Sequence, residues 1–137
     1  MNKRRLLKLA DMLDADAKNK KGIMFDLGVI GFVHNTDKVT AVDCGTTACA
    51  MGLAAISGEF ERAGLSYKMD GRWVVTTING RRLPYTRAAM KTFGISEEAA
   101  HFLFSPLRYQ PEQSIAAEGE RYVAKRIRDF VAGKVAP

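Results

Sequence analysis

The residues best equipped for chemistry stand together in the segment Asp43-Cys44-Gly45-Thr46-Thr47-Ala48-Cys49, which holds both cysteines of the chain. An apolar run follows directly. A thiol at a helix start meets unpaired N–H groups and the positive end of the helix dipole, which favour a thiolate or a bound anion. On that reading Cys44 or Cys49 is a nucleophile, with His34 or His101 as its base. Zinc is the second chemistry, since two sulfurs and two imidazoles suit a tetrahedral site. The spacing supports neither. The two histidines are distant and unpaired, and a nucleophile needs a positioned base. The cysteines are five apart, longer than the Cys-x-x-Cys redox spacing. The preferred expectation is structural: Cys49 is a small buried residue and Cys44 packs at a tight turn shaped by Gly45. No catalytic residue, metal ligand or cofactor is assigned.

The elements around this segment follow from periodicity. Thr46 or Thr47 is the expected N-cap of a helix over 48–57. That helix is apolar all round, so it belongs at the centre of the fold. Gly52, with Ala50 and Ala54, would let a neighbouring backbone come close. At roughly 15 Å the helix is too short to span a membrane. Upstream, Leu6, Leu9, Ala10, Leu13 and Ala17 mark an amphipathic helix over 2–18, ended by Lys18 to Gly22. Its charges mix acids and bases and are expected to be a solvated face rather than an anion-binding arm. Residues 24–33 are expected as a short strand or buried loop, 34–37 as a turn and 38–42 as a short strand.

A third chemistry sits further along. Asp70-Gly71 and Asn79-Gly80 are hairpin turns, because both dipeptides accept positive φ. They predict two or three short antiparallel strands within 65–85. Lys68, Arg72, Arg81, Arg82 and Arg87 could form one basic patch there, with Tyr67, Trp73 and Tyr85 beside it. Rings that stack on bases and cations that hold phosphates are the means of binding nucleic acid. Both faces of the strand at Trp73 carry apolar residues, so packing is the expected fate of that ring. Arg72, Trp73, Arg81, Arg82 and Arg87 are the candidate partner-binding residues. Thr86 is expected to cap a helix over 87–93 ended by Gly94, and Ser96 the next helix, ended by Ser105-Pro106. A last helix over about 115–132 stops at Gly133.

The size and balance of the chain bound these readings. Its 137 residues make one domain, 1–137, large enough to fold without a disulfide or metal. The net charge of +6 invites an anionic partner without proving one. The positive excess sits at the two ends and over 67–95, and acidic stretches separate these parts, which argues against a long nucleic-acid track. No apolar run reaches membrane length, no signal-peptide core develops after Met1, and two cysteines make no disulfide framework. A reducing, cytoplasmic setting is expected.

Four segments occur in one order: Phe25-Asp26-Leu27-Gly28, Cys44-Gly45-Thr46-Thr47-Ala48-Cys49-Ala50-Met51-Gly52, Phe102-Leu103-Phe104-Ser105, and Ala124-Lys125-Arg126-Ile127. In this the chain resembles a group of small bacterial and phage proteins marked by a Cys-Gly-Thr-x-x-Cys-x-x-Gly motif. The hairpin at 65–85 is less typical of that group. No activity is attached to the group, so the resemblance implies a compact domain and a bacterial or phage setting, and assigns no role beyond the motif Cys44, Gly45, Thr46, Cys49 and Gly52. The expected fold is α+β, mainly helical, with helix 47–57 central and a small antiparallel hairpin or three-stranded meander on one side. The expected function is a non-enzymatic binding or accessory module with a protein partner. The alternatives are a nucleic-acid-binding protein using the basic hairpin, and a small cysteine- or metal-dependent enzyme centred on Cys44 and Cys49. No membrane is involved, and a homodimer stays open because a second subunit could cover the apolar helix.

Overall fold

The computed structural model describes residues 1–19, 22–33 and 46–137. The turn expected at 34–37, the strand at 38–42, and the residues His34, Cys44 and Gly45 lie outside the described residues. The fold is α+β. No described helix is long and apolar enough to cross a membrane.

The amphipathic stripe near the start forms α1 (Lys3–Lys18), which buries Leu6, Leu9, Ala10 and Leu13. Asn2 caps it by accepting the Arg5 N–H at 3.0 Å. Helix α5 (Ala116–Val131) lies along α1 and buries Val123, Ala124 and Ile127 toward it. Its end is tied to α1 by Arg128, which pairs with Asp11 and Asp14. Between these helices and the sheet sits α2 (Ala50–Ser57), with every residue from Ala50 to Ala55 buried. An apolar helix without a polar stripe can be stable in water only when enclosed on all sides. Here the single chain encloses it, and no second subunit is needed to cover it.

The sheet exceeds the expected hairpin. Strands β1 (Met24–Phe25), β2 (Gly31–Val33), β3 (Thr46–Ala48), β4 (Leu65–Asp70), β5 (Trp73–Ile78) and β6 (Arg81–Arg82) form one sheet in the order β1-β3-β2-β5-β4, with β6 beside β5. The meander β4–β5–β6 is present, and Gly71 (φ 62), Asn79 (φ 52) and Gly80 (φ 80) supply the positive φ of its turns. It is not a separate appendage. Phe32 pairs with Trp73, and the Val33 N–H donates to the Arg72 carbonyl at 2.9 Å, joining the meander to β2. β1 and β3 pair in parallel and the other pairs are antiparallel.

Two caps differ from the sequence expectation. Thr46 and Thr47 belong to β3, so α2 starts later and Cys49 is its N-cap. β-Branched threonines gain more from strand pairing with β1 and β2 than one of them would gain as a cap. Helix α3 (Tyr85–Phe93) begins at Pro84 rather than at a Thr86 cap. The proline ring holds φ at −56° and ends strand pairing, so the chain turns into the helix before Thr86 is reached. Helix α4 (Glu97–Phe104) is capped as expected, with the Ser96 hydroxyl accepting the Ala99 N–H at 3.1 Å, and it ends at Ser105-Pro106. Arg126 of α5 clamps that end. It donates to the carbonyls of Phe102 (3.0 Å) and Arg108 (2.8 Å), and its guanidinium lies 3.7 Å from the Tyr109 ring centre.

Candidate functional site

The cysteine turn builds inward. Cys49 has extended backbone, and its Sγ accepts the Gly52 N–H at 3.3 Å while donating to the Ile30 carbonyl at 3.8 Å. A Cβ on Gly52 would stand 1.6 Å from that same Ile30 oxygen, so the backbone of α2 touches the backbone entering β2. Only glycine permits this approach. The thiol is enclosed, and burial pushes its pKa up to about 11 despite the lowering pull of the Gly52 and Met51 N–H groups. Desolvation outweighs the helix terminus here, which holds Cys49 as a neutral thiol at pH 7. His101 lies half-exposed on α4 with Nε2 3.9 Å from Glu97. Among the described residues no group of three or more His, Cys, Asp or Glu could hold a metal.

The other side of the sheet is different. Strand register alternates the faces. Phe25, Ala48 and Ile78 face the helices and join the core. On the opposite face one cross-strand row runs Met24, Thr47, Phe32, Trp73, Asp70, traced through successive pairs. Trp73 does not pack away as the alternation suggested: it is 55% exposed, touching Phe32 edge-on with ring centres 4.8 Å apart. Met24 is 46% exposed in the same row. The bridge from Asp26 to Ile115 brings a second exposed aliphatic side chain to the face that Met24 occupies. Further along β5, Val75 is half-buried and Thr77 buried, so the accessible part is the Trp73 end.

The candidate cations are not one patch. Lys68, opposite Val75, and Arg82, opposite Thr77, share the Trp73 face, and Arg82 lies 3.6 Å from Asp70. Arg72 sits in the adjoining turn. Arg81 pairs with Ile78 and therefore leaves from the other face, and Arg87 belongs to α3, so the register divides the five. All five are exposed. Sequence reasoning missed Met24 and Ile115, which carry no signal of a shared face until the parallel β1–β3 pairing and the Asp26 bridge are known.

It also missed a buried acid, Glu120, beside the half-buried Asp16. Glu120 of α5 is 1% exposed, and its Oε2 and Asp16 Oδ2 have no hydrogen-bond partner. Asp16 Oδ1 accepts the Ile23 N–H at 3.2 Å. Burial, and then the nearby Asp16 carboxylate, raise the Glu120 pKa to about 10, so Glu120 keeps its proton at neutral pH. Glu120 and Asp16 lie on α5 and α1, the two helices packed along each other.

Comparison with protein-family models, with curated proteins and with solved structures found no match.

Proposed function

We propose that this chain is a non-enzymatic binding module that docks a protein partner on the Trp73 row of its sheet. The observation that carries the reading is the exposure of Trp73 where β5 meets β2, in one cross-strand row with Met24. Tryptophan, methionine and arginine are the residues that dominate protein interfaces, with an apolar centre and a polar rim. Nucleic acid fits this row less well. A single strand needs several accessible rings and cations without counter-charges. Among the described residues Trp73 is the one aromatic ring more than half exposed, and Asp70 both flanks it and partners Arg82. The burial and raised pKa of Cys49 weigh against the cysteine-dependent alternative. The resemblance to small bacterial and phage proteins suggests an accessory role in the cytoplasm.

The test is to identify a co-purifying protein and reconstitute the complex from pure components. Trp73→Ala should weaken binding at least tenfold while the variant stays folded. Equal affinity of variant and wild type overturns the reading. So does saturable binding of a single-stranded 12-mer that depends on Trp73 and weakens steeply with salt.

A further inference from the structure

Where the start of α1 meets the 3-10 turn Glu61–Ala63, a groove of about 300 Å³ opens over Phe60. It is lined by Arg4, Arg5, Lys8 and Arg62, against one carboxylate, Glu59. Two of the cations have structural work. Arg5 donates to the Thr92 carbonyl at 3.0 Å, placing positive charge at the negative end of α3. Lys8 pairs with Glu59 at 2.8 Å, with both side chains about half-exposed.

Arg4 and Arg62 have no acidic partner among the described residues. Arg4 and Lys8 stand one helical turn apart, a like-charge spacing that costs helix stability, and the first turn of α1 holds no acid to relieve it. Glu59 offsets the charge of Lys8 but not that of Arg4, and an anion in the groove would turn the repulsion into attraction.

We propose that this groove binds the phosphate of a polyanionic ligand, independently of the Trp73 row. The two unpaired guanidinium groups supply planar forks that match phosphate oxygens, and Lys8 adds a point charge beside them. Among the residues that line the groove Glu59 is the one carboxylate, and its pairing with Lys8 mutes it. The ligand source is either a free polyphosphate or a nucleic-acid backbone, since both present the same oxygens.

Calorimetric titration at low salt separates these sources with two probes, pyrophosphate and a 12-bp DNA duplex. Saturable binding of pyrophosphate identifies a free polyphosphate. Saturation by the duplex alone, with affinity falling linearly in log salt, identifies a backbone. In either case Arg4→Ala/Arg62→Ala should bind at least tenfold more weakly, and Trp73→Ala should bind like the wild type. Both arginines are exposed, and a melting curve checks that the double variant folds. Should it not fold, backbone amide NMR on the wild-type protein decides, with ligand-induced shifts expected at residues 2–8 and 59–63. No saturation by either probe, equal binding by the double variant, or shifts centred elsewhere would overturn the proposal.

Discussion

Cys49, at the end of β3, and the Trp73 row lie against opposite sides of one sheet and have opposite fates. On the helix side, Cys49, Gly52 and Ile30 form a contact so close that a single methyl group has no room. On the other side, Trp73 stands more than half in water against one edge-on neighbour. Of the two cysteines, Cys49 is described, and its enclosure raises the cost of ionising the thiol. The row contains a less reactive set, and Trp73 and Met24 in it stay accessible. Access and solvation, more than residue type, set the two regions apart.

The sharpest way to break this contrast is Gly52→Leu. Overpacking usually costs about 1–3 kcal/mol. Here the obstacle is a backbone carbonyl that cannot rotate away, so the loss should reach or exceed the top of that range in urea or thermal melts. A variant melting at the wild-type temperature would show that α2 does not press on β2.

A second experiment extends the comparison to the other enclosed polar group. The folded pKa of Glu120 lies above its unfolded value of 4.5, so between that value and about 10 the native state holds a proton that the unfolded chain releases. The contribution of Glu120 to stability should therefore be full below pH 4.5 and fall as pH rises through that window, by at most about 1.4 kcal/mol per pH unit for one proton. Glu120→Gln mimics the protonated form, so it should stabilise the protein at pH 7 and flatten this slope. A variant that is less stable at pH 7 would mean that Glu120 is ionised in the fold.

Cys49→Ala should cost about 1 kcal/mol, the usual loss for a helix cap. In a Cys44→Ser background the Cys49 thiol should react with a thiol reagent only as fast as the chain opens. Rapid labelling of the folded protein would place Cys49 among accessible groups and erase the contrast. The smallest stability effect belongs to Trp73→Ala, about 0.5–1.5 kcal/mol for the lost ring contact with Phe32. A larger loss would show that Trp73 is part of the core.

Local chemistry carried a good deal of this fold in readable form. The α1 stripe, the Ser96 cap, Gly94 and Gly133 beyond their helices, and the two hairpin turns follow from side chains acting on their own backbone within a few residues. The central place of α2 was readable too, because an apolar helix has only one stable location. Thr46 was ambiguous for the opposite reason: threonine serves both caps and strands, and its choice depended on β1 and β2, which lie elsewhere in the chain.

For the sites the division is stricter. From sequence alone came the cysteine motif, the need for a small residue at Gly52, and the basic, aromatic character of 67–87. Tertiary structure alone decided that Cys49 is sealed, that Trp73 is exposed, that Arg81 and Arg82 leave opposite faces, and that Glu120 is buried against Asp16. Each of these depends on what covers a side chain. Cover comes from segments distant in sequence, and neither residue type nor spacing records which segment will supply it.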